Sequence, residues 1–564
     1  MSGNSYGIYD VDNIPGTYVS LATNGGGISI SATAGSATNT SLYMFGGNFL
    51  SRAGEINITT NGQANWRTVD ARAIGAQAGS DVLSSSANIT IKASALLDDT
   101  ANSLSKISTS GVVSILPVAA QFNADSQLQY DVEAGGFVIG YADTVNSATN
   151  NFTLARRITS SGNVTVSALG ITATSGLKIF TTDQASRITF KAKEWIDLLN
   201  GASSVSHTTF QTNNGDIILW SDADGNGNGG LYVGSYIELN SANGLKSKTG
   251  SGGGRITMAG SFGNSSVDAS GHPLGAMSDT GNMNGATDNY AWILGSNTEV
   301  YTGGGDFTAR ARSDSSTDPL GNLASQSLVW SGTGKIAISV SHQATNFGLS
   351  VTSTDLISAA TATPAIEIAT STAGAGNYGG IYGATGASPE IISLATTGGG
   401  ISISAISPSA TYQSFFLYGS DLLSRNGDIS IASNGNISLA TSEARNFGAK
   451  AGSDVVSSSA NITFRTSGLL DNTANTLSKI STSGIISILP FATQFNVDSH
   501  LYLEIDAGGF VFGNEPGVAS ASNNIKLFRD VTTTGAITLS ANAITIDQGV
   551  DLITTRAGSS ILLR

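Results

Sequence analysis

Residues 25–31 read GGGISIS, and residues 398–404 read GGGISIS again. Glycines are followed by alternating isoleucine and serine, which places the apolar side chains on one face of a strand and the polar ones on the other. Similar runs recur along the chain: AGEINIT (53–59), SANITIK (86–92), SGNVTVS (161–167), NGDIILW (214–220), GGGRITM (252–258), GGGDFTA (303–309), GTGKIAI (332–338) and TGAITLS (534–540). Successive runs usually begin about 23 to 33 residues apart. This pattern is typical of half-buried strands separated by turns.

A period of this length in a β-rich chain predicts a parallel β-helix in which each period forms one coil. Stacked coils bury a continuous apolar column that a single coil cannot bury alone. About 20 coils at about 4.8 Å per coil would give a single elongated rod about 100 Å long. Antiparallel β-sandwich modules are the competing architecture, but they repeat near 100 residues. Residues 193–200 hint at a helical turn, whereas helical periodicity is nearly absent elsewhere.

The composition agrees with an all-β chain and excludes several classes of protein. The chain has 564 residues, 69 glycines, no cysteine, 12% charged residues and a net charge of −14. The lack of cysteine excludes disulfides, iron–sulfur clusters and thiolate zinc sites. The negative charge gives no electrostatic basis for binding nucleic acid. No apolar stretch is long enough for a transmembrane helix.

A much longer repeat divides the sequence. Residues 18–191 align with residues 391–564 without a gap, at an offset of 373 residues. We therefore predict a first copy at 1–191, the remainder of the repeat unit at 192–373, and a second, truncated copy at 374–564, all in one continuous solenoid. The first ten residues lack the basic and apolar regions of a signal peptide. We expect the sequence to be a segment of a longer tandem protein.

The runs NGDIILWSDADGNGNGG (214–230), GGGRITMAG, SSGNVTVSA and TTGAITLSA resemble the repeat regions of filamentous-haemagglutinin-like proteins, which are very long bacterial β-strand-repeat surface proteins. The resemblance covers most of the chain, and its motifs are compositional. It implies a right-handed parallel β-helix, export across the outer membrane and a role in attachment or as a surface fibre. The secretion domain of that family is not recognisable in these residues.

One segment has the spacing of a metal site. Asp222, Asp224 and Asn226 match the first half of a calcium loop, in which alternate oxygens converge on one ion. The twelfth position is Val233, where such a loop carries a bidentate glutamate. The alternative is a polar turn that leaves a strand. Calcium is the only cofactor that we consider. The residues that would bind any other ligand stay unknown.

Other polar and aromatic residues give weaker signals. The four histidines are His207, His272, His342 and His500, and their spacing fits no metal motif. His500 aligns with Gln127, so a role shared by both copies cannot depend on it. The segment 260–289 interrupts the short period and precedes Trp292, which makes it a candidate recognition loop. The alternative is a tolerated insertion beside a core tryptophan.

These observations predict a non-enzymatic segment of a very large extracellular protein at the bacterial outer cell surface. It would act as the β-solenoid shaft of an adhesin or fibre in attachment between cells or to surfaces. Its partners would be neighbouring repeats of the same chain, together with glycans or proteins on another cell. A polysaccharide-degrading β-helix enzyme and a purely structural surface fibre without a ligand are the alternatives.

Overall fold

The computed structural model describes all residues except 1–6, 10–18, 45, 67–70, 99–102, 202, 204–206, 279–289, 314–319, 343–347, 374–377, 384–391, 419, 442–443, 474–475 and 514–522. The chain divides into two compact units. The first comprises Met1–Gly244, Gly253–Met277 and Gly281–Thr287, and the second comprises Leu245–Gly252, Ser278–Thr280 and Asp288–Arg564.

The described part of the first unit has 27 strands and one 3-10 helix, Ala142–Ser147. The strands are β1 Ile8–Tyr9, β2 Val19–Thr23, β3 Ile28–Ala32, β4 Thr40–Met44, β5 Gly47–Ser51, β6 Ile56–Thr60, β7 Gln63–Trp66, β8 Ala73–Gly75, β9 Ile89–Ala93, β10 Leu96–Asp98, β11 Lys106–Ser108, β12 Val112–Pro117, β13 Ser126–Leu128, β14 Asp131–Ala134, β15 Gly136–Ile139, β16 Phe152–Leu154, β17 Ile158–Ser160, β18 Val164–Ala168, β19 Ile171–Ala173, β20 Lys178–Thr181, β21 Ile188–Ala192, β22 Ile196–Leu198, β23 Thr208–Gln211, β24 Ile217–Trp220, β25 Leu231–Val233, β26 Ile237–Asn240 and β27 Ile256–Ala259.

The described part of the second unit has 30 strands. They are β28 Trp292–Leu294, β29 Glu299–Tyr301, β30 Phe307–Ser313, β31 Gly321–Leu323, β32 Leu328–Gly332, β33 Ile336–His342, β34 Leu349–Val351, β35 Asp355–Ser358, β36 Ile366–Thr372, β37 Tyr378–Gly383, β38 Ile392–Thr396, β39 Ile401–Ile406, β40 Gln413–Tyr418, β41 Ser420–Ser424, β42 Ile429–Ser433, β43 Asn436–Thr441, β44 Asn446–Gly448, β45 Ile462–Thr466, β46 Gly468–Thr473, β47 Lys479–Ser481, β48 Ile485–Pro490, β49 Ser499–Leu501, β50 Glu504–Ala507, β51 Gly509–Gly513, β52 Ile525–Leu527, β53 Val531–Thr533, β54 Ile537–Ser540, β55 Ile544–Ile546, β56 Leu552–Thr554 and β57 Ile561–Leu563.

Within each unit the strands follow one rule of pairing. A strand pairs in parallel with the strand three places later, so that three successive strands make one coil and three parallel sheets form. Sheet I contains β1, β4 and every third strand after them, sheet II begins with β2, and sheet III begins with β3. The described strands make nine coils in the first unit and ten in the second. The predicted all-β parallel β-helix is therefore confirmed.

Sheet III shows why the alternating runs form these strands. Ile28 pairs with Ile56, which pairs with Ile89, and all three are buried. The residues that follow them, Ser29 and Asn57, face outward and form the polar face. Because inward positions repeat from coil to coil, isoleucine stacks on isoleucine and buries an apolar column, which is the main source of stabilisation.

The glycines at the corners allow neighbouring coils to approach closely. A Cβ atom on Gly54 would lie only 2.2 Å from the backbone carbon of Gly26, and one on Gly427 would lie 2.2 Å from the backbone carbon of Gly399. Only glycine fits where two backbones come this close. Gly54 and Gly427, which lie against the glycine runs of the neighbouring coils, are therefore required by the stacking of coils, whereas a Cβ on Gly25 would meet no atom within 4 Å.

A buried hydroxyl group secures the corner between sheets II and III. Ser51 Oγ donates to the carbonyl of Gly54 at 2.6 Å, and Thr396 Oγ1 donates to the carbonyl of Gly399 at 2.7 Å. Ser331 makes the same contact with Gly334 at 2.7 Å. These three side chains have no exposed surface. Each hydrogen bond satisfies a buried hydroxyl and fixes the direction in which the chain enters the next strand.

The long repeat contains a whole number of coils. Strand β3 of the first copy corresponds to β39 of the second, which lies 36 strands, or twelve coils, later in the chain. Strands β5 and β41 also start at positions that differ by 373 residues. Residues 193–200 contain strand β22 of sheet I, whose Ile196 pairs with Ile171 and Leu231, and the predicted helical turn is wrong there.

Candidate functional site

The Asp222–Asn228 segment is a polar turn between β24 and β25. Asp222 has a left-handed backbone with φ of 50°, and its Oδ1 accepts a hydrogen bond from the backbone N–H of Gly227 at 3.3 Å. Asp224 accepts bonds from the backbone and side-chain nitrogens of Asn226 at 3.3 and 3.0 Å. Asn226 Oδ1 accepts from the backbone N–H of Asn228 at 2.7 Å. The three predicted ligands are thus brought together, and each also stabilises the turn.

Asp222 is the buried member of this turn. Its exposed fraction is 0%, and its Oδ2 receives no hydrogen bond within the part of the chain that the structure describes. Burial, followed by the neighbouring negative charge of Asp224, raises the pKa of Asp222 to about 7. Burial likewise raises the pKa of nearby Glu194, whereas the charge of Lys193 lowers it. The turn therefore concentrates carboxylates where ionisation is unfavourable.

A cation or a proton could relieve this repulsion. The Lys193 ammonium lies 4.0 Å from Asp224 Oδ2, so Asp224 has a charged partner. Asp222 Oδ2 is the oxygen best placed for an added cation because it has no donor among the described residues. The Oδ1 of Asn226 already accepts a hydrogen bond within the turn. Calcium at Asp222, Asp224 and Asn226 stays a prediction.

The candidate recognition loop is partly a compact hairpin. Its antiparallel bridges join Gly260 with Gly275 and Phe262 with Ala276, and residues 279–289 lie outside the described residues. Val267 and Leu274 are exposed on it, at 45% and 37%. Trp292 is fully buried, so this tryptophan belongs to the core and offers no recognition surface.

A buried polar network holds the hairpin against sheet III. His272 Nδ1 lies 2.6 Å from Thr257 Oγ1, and its Nε2 lies 3.0 Å from Asp216 Oδ2. Hydrogen bonds from His272 and Arg255, together with the charge of Arg187, outweigh burial and lower the pKa of Asp216. The hydroxyl, imidazole and carboxylate have the order of a hydrolase triad. Thr257 is only 4% exposed and His272 only 3%, so the arrangement is closed to a substrate.

The second unit carries a groove on the outer face of sheet I, with a volume of about 440 Å³. His500 and Lys526 occupy paired positions on β49 and β52 and form its floor. Tyr502 and Phe528 form one wall, with ring centroids 3.8 Å apart and planes inclined by 10°. Asp498 lines the opposite side.

The groove offers groups that can donate and accept hydrogen bonds. His500 Nε2 contacts Asn472 Oδ1 at 3.1 Å. Burial lowers the pKa of His500, the charge of Asp471 opposes this shift, and the charge of Lys526 adds to it. A neutral imidazole has one donor and one acceptor nitrogen. Lys526 lies 4.1 Å from the centre of the Phe528 ring and 3.7 Å from Asp547, so its charge is already balanced.

The sequence reasoning missed this groove because it looked for features shared by the two copies. His500 was set aside because Gln127 replaces it in the first copy. The residues of the groove are about 26 to 28 positions apart, and only the stacking of coils brings them together. The useful signal was the difference between the copies, since several aromatic and charged residues are present in one copy alone.

Comparisons with known proteins give no further assignment: no family model, no curated protein and no solved structure matches the chain. A search of the described residues for helices long and apolar enough to span a membrane found none.

Proposed function

We propose that this chain is a β-solenoid segment of a very large bacterial surface protein that attaches the cell to other cells or surfaces. The observation that carries the proposal is a repeat whose period is twelve whole coils, so that β39 reproduces the inward isoleucines of β3. A repeat of this kind extends a parallel β-helix without changing its core. The resemblance to filamentous-haemagglutinin-like proteins supports an extracellular role at the outer surface.

The proposed mechanism is geometric. Each coil buries its apolar residues against the neighbouring coils, and its corners and outward faces are free to carry contact residues. Weak contacts at many coils would combine into strong attachment, because after one contact forms the others act at a high effective concentration. The expected partners are glycans or proteins on another cell.

We propose no catalytic step for this segment. The arrangement of Thr257, His272 and Asp216 most resembles catalytic machinery, and both hydroxyl and imidazole are buried beneath the hairpin. A nucleophile needs access to the substrate carbonyl and a nearby group that stabilises the oxyanion. The network instead supports the hairpin, which is a structural role.

Attachment can be tested with the full 564-residue chain coupled to beads. We expect the beads to bind saturably to mammalian epithelial cells or to bacterial cells, and free chain to compete. Beads that carry the heat-unfolded chain provide the control. Equal retention of folded and unfolded chain on all of these cells would refute attachment. Release of reducing ends from polysaccharides would favour the enzyme alternative.

A further inference from the structure

The groove on sheet I differs between two copies whose strands lie at corresponding positions, β13 and β16 in the first and β49 and β52 in the second. In the second copy, Tyr502 N donates to Asp471 Oδ2 at 2.7 Å. In the first copy, Gln129 N donates to Asp98 Oδ2 at 2.6 Å, and these residues occupy the corresponding positions. The carboxylates of Asp98 and Asp471 are fully buried. The same hydrogen bond therefore fixes the chain at this point in both copies.

A second backbone contact is also shared. Asn524 N donates to Asp498 Oδ1 at 2.8 Å, and Asn151 N donates to Asp125 Oδ1 at 2.8 Å in the first copy. The polar side of the groove is thus built in the same way twice. Because these backbone contacts are the same in both copies, any difference in what the copies bind must come from their outward side chains.

Four of those side chains change together. His500, Tyr502, Lys526 and Phe528 correspond to Gln127, Gln129, Thr153 and Ala155 at the 373-residue offset. The buried neighbours Leu501 and Leu128 are identical, so the core beneath is retained. The second copy gains two stacked rings, an imidazole and an ammonium. None of these is needed to form the coil, because the first copy forms the same strands without them.

The chemistry of the groove fits a neutral saccharide. The rings of Tyr502 and Phe528 stack on each other and together form an apolar wall of the groove, against which the C–H groups of a sugar can pack. His500 and Asn524 offer hydrogen-bonding groups for hydroxyls at the floor and the opposite side. The volume of about 440 Å³ falls in the usual range for small-molecule sites.

The charges oppose an acidic ligand. Lys526 is paired with Asp547 at 3.7 Å, and Asp498 places a further negative charge on the lining. The chain as a whole carries a charge of −14. A carboxylated or sulfated sugar would meet no unpaired cation among these lining residues and would be repelled.

We propose that the groove formed by His500, Tyr502, Lys526 and Phe528 binds a neutral oligosaccharide and that the first copy has lost or never acquired this site. The inference rests on the proposed attachment function and adds the class of ligand to it. It places recognition on the outer face of sheet I. None of the described residues of the segment 260–289 lines this groove.

The two copies provide the test variant. H500Q/Y502Q/K526T/F528A gives the second copy the side chains of the first, so we expect the full chain to fold with an unchanged melting temperature. Binding is measured on immobilised neutral oligosaccharides of glucose, mannose, galactose and N-acetylglucosamine, three to six units long. The wild-type chain should bind at least one of them. In the variant, we expect the apparent Kd to rise about tenfold or more, because both aromatic contacts are removed.

A matched control removes an outward aromatic pair elsewhere in the second unit. Tyr382 and Phe416 stack with ring centroids 5.4 Å apart, and Y382A/F416A should leave binding unchanged. The proposal is wrong if no neutral oligosaccharide binds, if the fourfold variant binds as tightly as the wild type, or if the control loses as much affinity. Coated beads separate the two proposals. If the fourfold variant keeps both saccharide binding and attachment, the attachment function stands and the groove is rejected. If the wild type binds saccharide and the variant does not, but wild-type beads fail to attach, the groove stands and the attachment function is rejected.

Discussion

Replacing Asp222 with asparagine should remove a pH-dependent destabilisation of the turn after β24. Asparagine keeps the oxygen that accepts from the Gly227 N–H, and it tolerates the left-handed backbone at φ of 50°. Its amide group would replace Oδ2, which has no donor among the described residues and faces the negative charge of Asp224. The substitution therefore removes the charge and keeps the shape.

The magnitude follows from the shift of the pKa. Asp222 ionises near pH 3.8 when unfolded and near pH 7 when folded. Below pH 3.8 both states are protonated and the carboxyl has no effect on stability. Between these values only the unfolded state loses its proton, so stability falls as the pH rises. Above pH 7 the accumulated cost is about 4 kcal/mol, or about a thousandfold in the equilibrium for local opening.

Hydrogen exchange followed by mass spectrometry can measure this opening in peptides that cover residues 221–233. After correction for the intrinsic pH dependence of exchange, the wild type should open more readily at pH 8 than at pH 5. D222N should open to a similar extent at the two pH values, and at pH 8 it should be better protected from exchange than the wild type. D183N, which changes an exposed carboxylate of the same unit, is the control and should behave as the wild type.

The reasoning would be refuted by a wild-type turn that opens equally at the two pH values. It would also be refuted if D222N kept the full pH dependence, because another group would then be responsible. Calcium must be absent from these measurements, since a bound cation would favour the ionised carboxylate and hide the effect.

Three further predictions concern the same fold. If Asp222 and Asp224 bind calcium, millimolar calcium should raise the melting temperature of the wild type but not that of D224A, and an equal rise in both would dismiss the site. G54A should destabilise the chain by about 2–3 kcal/mol in denaturant unfolding because its Cβ would strike Gly26, whereas G25A, with no atom within 4 Å of its Cβ, should be tolerated. H272A should leave Thr257 and Asp216 without their imidazole partner and release the hairpin at 260–276. The release should be seen as faster proteolysis within the hairpin. Cleavage at the wild-type rate would show that His272 does not hold the hairpin in place.

The alternating runs predicted one sheet of the three. All ten of the runs quoted from the sequence contain strands of sheet III, including β3, β6 and β9. Strands of sheets I and II are often only three residues long, as in Leu96–Asp98. Three residues cannot show a clear alternation, so their positions depend on pairing with the coils on either side.

The candidate sites were harder to predict because they depend on which coils become neighbours. The Asp222 turn was found because its residues are adjacent in sequence, although the burial that raises the pKa of Asp222 comes from the fold. The contact of His272 with Asp216 joins residues 56 positions apart, and no motif spacing indicates it. Trp292 looked like a recognition residue from its place after an insertion, and packing places it in the core.

The repeat period of twelve whole coils has a genetic consequence. Recombination between the two copies, aligned at any shared position, would add or remove 373 residues and bring the chain back to the same sheet with the same side chains inward. The junction would be a corner or strand that already exists in the protein. Lineages that carry this gene should therefore differ in steps of one repeat, each variant folding as readily as its parent, and the count of the proposed saccharide grooves would change with the count of second copies.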